Sequence, residues 1–177
     1  MNTLTYLLLI LSIIFSTQLF GQQLSNPGIY KVNNVEYSVR HNSAYGRNII
    51  RVRRTQQPLL KDNVYEYNNV NLDYIDIKVT NKNDYLQIIK NTLGATTLSR
   101  LKNAKEELTI DFYYTPSGKI LMLSFKVKTN TMTLSDIANI DKALRENYTA
   151  KITSLQNLHL HKKWIDIGNN VIDFGKL

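Results

Sequence analysis

The chain of 177 residues contains no cysteine. This absence excludes disulfide bonds, thiol catalysis, cysteine-ligated zinc sites and a lipid anchor on a cysteine side chain. Proline and glycine are scarce, with three and seven residues, and no low-complexity linker or internal repeat interrupts the chain. The composition is 43% hydrophobic and 20% charged, which favours a folded chain over a disordered one. We therefore expect one folded domain over residues 22–177.

Charge is missing from the N-terminus, where Lys31 is the first charged residue. An apolar run covers residues 6–15, and a mixed stretch continues to Gly21. A helix of ten residues is about 15 Å long, which is too short for a hydrocarbon core of about 30 Å. The run therefore predicts a signal peptide over residues 1–21, a periplasmic or secreted protein, and no transmembrane span in the mature chain. An uncleaved membrane anchor is the alternative.

Alternating apolar residues predict a β-hairpin near the start of the mature chain. Tyr30 and Val32 precede two asparagines, and Val35 and Tyr37 follow them. A two-residue turn would place all four apolar residues on one face of the hairpin. Asparagine tolerates the positive φ that such a turn requires.

Three later segments have helical patterns. Apolar residues with helical spacing precede Gly94, which suits the end of a helix, and residues 97–105 predict a second short helix. Thr133 and Asp136 resemble a capping box at the start of a third helix, which should end near Asn147. Strand patterns occupy residues 48–54, 64–67, 70–80, 108–115, 119–129, 150–153 and 158–161, with a final hairpin over residues 164–174. These elements predict an α+β fold with a mainly antiparallel sheet and two or three helices on one face.

The stretch from Phe112 to Tyr148 resembles the C-terminal domain of TonB. The resemblance rests on apolar and turn residues: Phe112, Tyr114, Gly118, Ile120, Leu123, Phe125, Ile137, Ile140 and Leu144. The break in alternation between Ile120 and Leu123 predicts a β-bulge. The resemblance implies a hairpin–helix–strand core, but no energy transduction, because the proline-rich linker of that family is missing. The whole chain resembles small uncharacterised secreted proteins of Gram-negative bacteria, which implies no activity.

A sheet edge is where a TonB-like domain accepts a peptide strand. Lys126 and Lys128 alternate with Phe125 and Val127 in the strand over residues 119–129. Lysines in this pattern commonly protect an exposed strand from pairing with other chains. The sequence therefore predicts an edge position for this strand.

The commonest catalytic and nucleotide-binding motifs are missing from the sequence. These are G-x-S-x-G, H-E-x-x-H, G-x-x-x-x-G-K-[ST], G-x-G-x-x-G and the EF-hand loop. We therefore assign no catalytic residue and no cofactor.

Charge is segregated in the first half of the mature chain. Residues 37–61 contain basic but no acidic side chains, and residues 62–76 contain acidic but no basic ones. On a strand, Arg51 and Arg53 share a face and Arg54 points away. The candidate ligand-binding residues for an anion are Arg47, Arg51 and Arg53, with Tyr45 as a stacking partner. The simpler interpretation is that neighbouring strands pair these opposite charges across a solvated face.

His159 and His161 would face the same way on a strand, as metal ligands must. Lys162 and Lys163 adjoin them and would repel a cation, so we predict no metal site. The simpler interpretation is two surface histidines, with Leu158 and Leu160 facing the core.

Together these patterns favour a secreted or periplasmic non-enzymatic binding module. Its partner would be an envelope protein or peptide bound at a sheet edge, or an anionic polysaccharide or lipid headgroup bound at a basic face, in preference to nucleic acid. The alternative is a small secreted hydrolase that uses His41, His159 or His161 with a carboxylate. A structural envelope protein without a ligand is the third interpretation.

Overall fold

The computed structural model describes residues 24–44, 47–58, 60, 66–128 and 131–177. The predicted signal peptide and Tyr45 lie outside the described residues. The strands are β1 (Gly28–Val32), β2 (Val35–Ala44), β3 (Arg47–Arg54), β4 (Glu66–Tyr67), β5 (Val70–Asn71), β6 (Ile77–Val79), β7 (Glu107–Tyr114), β8 (Ile120–Val127), β9 (Ile152–Ser154) and β10 (Ile165–Asp173). The α-helices are α1 (Lys82–Asn103) and α2 (Leu134–Asn147), and short 3-10 helices cover Leu155–His161 and Phe174–Lys176.

Six strands form the central sheet in the order β1-β2-β3-β8-β7-β10, and every neighbouring pair is antiparallel. Two small sheets pair β4 with β5 and β6 with β9. The predicted α+β class with a mainly antiparallel sheet is thereby confirmed. Among the described residues, no helix has both the length and the apolar character needed to cross a bilayer.

The N-terminal hairpin forms in the predicted register. Tyr30 pairs with Tyr37 and Val32 pairs with Val35. Both turn asparagines have positive φ, and the turn at Asn68 and Asn69 between β4 and β5 repeats this geometry. Local turn chemistry therefore sets the register of both hairpins.

The structure contains both helix boundaries that the sequence predicts, one at Gly94 and one at Thr133. Gly94 has φ 69° and ψ 169° and divides α1 into two helical segments. At the start of α2, the Thr133 hydroxyl accepts a hydrogen bond from the Asp136 N–H at 3.1 Å. The Asp136 carboxylate accepts one from the Thr133 N–H at 2.9 Å, which confirms the capping box.

The apolar core lies between the helices and one face of the central sheet. Val52, Ile110 and Phe125 point inward from β3, β7 and β8 and are at most 1% exposed. They belong to one cluster with Ile89 of α1 and Ile140 of α2. Phe125, the neighbour of Lys126 on β8, is therefore a core residue.

The β7–β8 hairpin contains the predicted bulge. Tyr113 pairs with Met122 and Tyr114 pairs with Ile120, so Leu121 is the extra residue. The bulge restores the inward direction of the apolar side chains after Leu121.

Gly118 closes this hairpin at a close backbone contact. Its φ is 85°, and a Cβ there would lie 1.9 Å from the Ala150 carbonyl oxygen. The Ala150 N–H donates a 3.0 Å hydrogen bond to the Gly118 carbonyl. The contact holds the chain after α2 against the hairpin turn, and only glycine fits there.

The predicted final hairpin over residues 164–174 is wrong. β10 is one strand that pairs with β7 on both sides of a bulge between Ile167 and Asn170. Asn169 has φ 56°, and the Asn170 side chain donates to the Ile167 carbonyl at 2.8 Å. The Gly-Asn-Asn segment therefore forms a bulge where a turn was expected, because β7 is long enough to pair with both halves of β10.

Candidate functional site

The side of the central sheet opposite the helices carries polar side chains, and we call it the open face. Arg51 and Arg53 point to the open face from β3, whereas Val52 between them is fully buried in the core. The residues of the open face that matter below are Arg40, Arg51, Arg53, Asp111, Tyr113, Lys126 and Asp166. Strand alternation places all of them on one surface.

Three basic side chains form a row across adjacent strands. Arg40 of β2 lies directly opposite Arg51 of β3, and Arg51 lies directly opposite Lys126 of β8. Like charges that face each other across a sheet destabilise it. An anion bound over this row would relieve the repulsion.

The arginines Arg40, Arg51 and Arg53 differ from Lys126 and Arg54 in their ion-pair partners. Arg54 forms an ion pair with Asp141, and Lys126 forms one with Asp111. Among the described residues, no acidic side chain lies within ion-pair distance of Arg40, Arg51 or Arg53. The Nε of Arg51 is buried and has no hydrogen-bond acceptor there.

The simpler interpretation of the charge segregation required the acidic residues 62–76 to pair with these arginines. Asp73 instead binds Lys162 at 3.1 Å, and Asp76 binds Lys78 at 3.0 Å. Asp62 lies outside the described residues. In the described part of the chain, the basic strand keeps its charge on the open face.

Carboxylates lie beside the basic row, on β7 and β10. Asp111 accepts hydrogen bonds from the Lys126 Nζ and the Asn169 N–H, both at 3.0 Å. A Cβ on Gly168 would lie 3.6 Å from Asp166 Oδ1 and 3.7 Å from Asp111 Oδ1, so both carboxylates flank this glycine. The pKa of Asp166 is raised, first by desolvation and then by the neighbouring Asp111 carboxylate.

Tyr113 lies between the two sets of charges. Burial raises the pKa of its hydroxyl, and the carboxylates of Asp166 and Asp111 raise it further. Arg51 and Arg53 act on the same hydroxyl in the opposite direction. The phenol therefore marks the boundary between the basic and acidic halves of the open face.

These residues surround a shallow hollow of about 320 Å³ that includes Arg51, Arg53, Asp111, Tyr113 and Asp166 in its walls. A second hollow of about 280 Å³ shares Arg53 and Met122 with the first and adds Arg40 and Ile29. The two hollows follow one another across the strands. Their volumes are close to the lower limit for small-ligand pockets.

The structure brings together two of the four residues that the sequence singled out. Arg51 and Arg53 line the first hollow. Arg47 is the first residue of β3, its side chain is outside the described part, and so is the whole of Tyr45. Lys126 and Asp166 are further residues of this surface that no local sequence pattern indicates, because only the non-local pairing of β3, β8, β7 and β10 places them beside the arginines.

A different ionic cluster lies on the helix side of the sheet. Asp141 of α2 is 1% exposed and accepts hydrogen bonds from the Tyr37 hydroxyl at 2.8 Å, from Arg54 and from Arg145 at 2.9 Å. Burial and the Asp141 carboxylate raise the pKa of Tyr37. We call this group the Asp141 cluster, and its satisfied bonds indicate a structural role.

The predicted strand over residues 158–161 is wrong, because the segment is a 3-10 helix. His159 is buried, and its Nδ1 lies 2.9 Å from the Ser154 hydroxyl. Leu158 is buried as expected, but Leu160 is 55% exposed, and His159 lies inside although it was expected on the surface. Two preceding residues with positive φ, Gln156 and Asn157, turn the chain out of the extended conformation.

The other side chains of this segment also have structural contacts. The His161 ring stacks on Tyr67 with 3.4 Å between the ring centroids. Lys162 is buried, and its Nζ donates to the Leu72 carbonyl at 3.0 Å and to Asp73. The described residues contain no group of three histidine or carboxylate side chains placed to hold a metal ion.

A hydrolase would need an imidazole and a carboxylate in one pocket. His41 contacts the Leu24 carbonyl oxygen at 2.8 Å, His159 contacts Ser154, and His161 contacts Tyr67. The three imidazoles thus have different neighbours. In the described part of the chain, none is hydrogen-bonded to a carboxylate.

The predicted edge position of the β8 strand is wrong, because β8 lies between β3 and β7. Lys126 and Lys128 form ion pairs with Asp111 and Glu107. Beyond the short pairing with β3, the Leu121 and Leu123 carbonyls accept hydrogen bonds from the side chains of Arg145 and Gln57. A peptide strand would find these two acceptors of β8 occupied.

Comparison with known proteins shows similarity of fold. No family model matches the chain, and no curated protein matches it. A crystal structure at 1.85 Å resolution of a DUF5043 family protein from Bacteroides uniformis ATCC 8492 is similar, with a TM-score of 0.59 and 13% identity. The match covers 87% of this chain and 89% of that chain. At this identity the likeness concerns the fold alone, and the resemblance to the TonB C-terminal domain stays a prediction.

Proposed function

We propose that the protein is an exported, non-enzymatic binding module that holds an anionic ligand on the open face of its sheet. The basic row of Arg40, Arg51 and Lys126 carries this proposal. Asp111 already compensates Lys126, whereas Arg40 and Arg51 face each other without an acidic partner among the described residues. A bound anion would relieve the repulsion between these two arginines. The N-terminal apolar run over residues 6–15 supports export.

Capture of a peptide strand at a sheet edge is the less favoured candidate. The outer strands of the central sheet are β1 and β10. β1 has only five residues, and the bulge between Ile167 and Asn170 interrupts β10. Short and bulged edge strands are poor templates for pairing.

Binding to heparin at increasing salt tests the proposal. Affinity should fall steeply as salt rises, because a bound polyanion releases its counterions. The double substitution Arg51→Ser and Arg53→Ser should weaken binding about tenfold or more, since it removes two charge-assisted contacts.

The matched control replaces Lys102 and Lys142 by serine. Both are exposed on the helices, which lie on the other side of the sheet, and this variant loses the same net charge. Equal weakening in both double variants would assign the attraction to the general charge of +8 and contradict a site on the open face.

A further inference from the structure

The open face divides hydrogen-bond donors from acceptors. Arg51 and Arg53 can only donate, whereas an ionised Asp166 can only accept. All three line the same hollow, with Tyr113 between them. A complementary ligand therefore carries an acid group at one end and hydrogen-bond donors at the other.

Asp166 is the carboxylate that has acceptor capacity for a ligand. The Asp111 carboxylate is already engaged by Lys126 and by the backbone of Asn169. Among the described residues, no basic side chain lies within ion-pair distance of Asp166, and desolvation raises the pKa of this carboxyl. A hydroxyl donor from a ligand would supply the missing hydrogen bond.

Two carboxylates in the hollow favour a ligand that carries hydrogen-bond donors as well as acid groups. The DNA backbone and a polyphosphate present negative charge without hydroxyl donors, and like charges across an interface weaken binding. A sugar acid has one carboxylate and several hydroxyls on a rigid ring. The half-buried Tyr113 gives such a ring an aromatic surface.

The second hollow extends the surface in the direction of Arg40. It shares Arg53 and Met122 with the first hollow and also includes Ile29, which is 68% exposed. A ligand that fills both hollows must cross several strands and meet arginines in both. This shape suits a short chain of sugar acids better than a single ring.

Resting on the proposed function, we propose that the open face binds an acidic oligosaccharide, with its carboxylates on Arg51 and Arg53 and its hydroxyls on Asp166. Tyr113 lies under a sugar ring, and Arg40 meets the acid group of the next one. The ligand class is thereby a chain of uronic acids. Its hydroxyls can donate hydrogen bonds to Asp166, which the oxygens of a polyphosphate chain cannot do.

Calorimetric titration with trigalacturonate tests this inference. Its methyl ester keeps the hydroxyls without the charge, tripolyphosphate keeps the charge without the hydroxyls, and diglycine offers a zwitterion. We expect trigalacturonate to bind about tenfold or more tightly than each of these three compounds. Trp164 is the only tryptophan, and its ring lies 5.9 Å from that of Tyr113, so its fluorescence reports binding at this place.

Asp166→Ala separates this inference from simple anion binding. The variant should bind trigalacturonate about tenfold more weakly and tripolyphosphate equally well or better, because it loses an acceptor and a negative charge. Glu146→Gln, an exposed change on α2, is the matched control and should bind both as the unmodified protein does.

The outcomes distinguish the two proposals. If tripolyphosphate binds as tightly as trigalacturonate, and Arg51→Ser with Arg53→Ser abolishes both, the oligosaccharide inference is overturned and anion binding stands. Diglycine or the methyl ester binding as tightly as trigalacturonate overturns it as well. If the arginine substitutions change no affinity, both proposals are wrong.

Discussion

Arg53 and Arg54 are neighbours on one strand and meet opposite environments. Arg54 reaches the helix side and binds the buried carboxylate of Asp141, whereas Arg53 lines the hollow of the open face. Successive residues of a strand point to opposite faces. Arg54 therefore forms a structural ion pair, whereas Arg53 has no acidic partner in the described part of the chain. The same amino acid therefore stabilises the fold on one face and is available for a ligand on the other.

The helix-covered face should hold most of the folding free energy. Phe125→Ala removes a ring that is 1% exposed in the core and should cost about 3–5 kcal/mol. Met122→Ala, on the open side of the same strand, should cost about 1 kcal/mol or less. Urea unfolding of both variants measures the difference, and similar midpoints would contradict this comparison of the two faces.

The Asp141 cluster should contribute more to stability than the acidic residues of the open face. Asp141→Asn leaves Arg54 and Arg145 without their common carboxylate and should cost about 3 kcal/mol. Asp111→Asn, whose partner Lys126 is partly exposed, should cost about 1 kcal/mol. Thermal and urea denaturation provide both values, and a larger loss for Asp111→Asn would reverse the assignment.

Single substitutions at the two neighbouring arginines sharpen the comparison. Arg54→Ser should destabilise the fold by about 1–2 kcal/mol, since Asp141 keeps only Arg145 and the Tyr37 hydroxyl. Arg53→Ser should stay within about 0.5 kcal/mol of the unmodified protein, as exposed charges contribute little. The heparin assay should show the reverse order, with the greater loss of affinity for Arg53→Ser.

The smallest expected effect is a loss of stability at acid pH, and it involves His159, which belongs to neither face of the central sheet. Burial lowers the pKa of His159 from its ordinary value of 6.5, so protonation favours the unfolded chain. The stability that depends on a neutral His159 is fully present above pH 6.5, the ordinary pKa, and is lost as the pH falls through the lowered pKa of the folded protein. The urea midpoint should therefore decrease from about pH 7.5 to about pH 5.5.

His159→Gln should reduce this pH dependence, and His41→Gln, on β2, should retain it. The glutamine also changes the contact with Ser154 and so the absolute stability. The comparison therefore uses the slope of the urea midpoint against pH. An unchanged slope in His159→Gln would assign the acid sensitivity to another group.

Local chemistry made much of the fold predictable. The asparagine turns, Gly94, the capping box at Thr133 and the bulge near Leu121 are determined by residues close in sequence. Two predictions were wrong because distant strands decide them: β10 pairs as one bulged strand along β7, and β3 covers part of β8.

The candidate site was predictable to the same extent. Alternation alone places Arg51 and Arg53 on one face. No local pattern shows that Lys126 pairs opposite Arg51 or that Asp166 lies by the same hollow. The partner of Arg54, Asp141, is 87 residues away along the chain, and its selection depends on how α2 packs on the sheet.

The side chains of Arg145 and Gln57 occupy carbonyl oxygens of β8 to which a strand of another copy would otherwise bind. Those carbonyls lie where β3 no longer accompanies β8, and such a gap inside a sheet invites insertion of a strand from another copy. Arg145 donates to the Leu121 carbonyl and also binds Asp141. One guanidinium therefore takes part in the buried ion pair and also occupies an acceptor in this gap. Loss of Asp141 would therefore remove the ion pair that holds Arg145 beside the Leu121 carbonyl, and this acceptor would be free to pair with another strand.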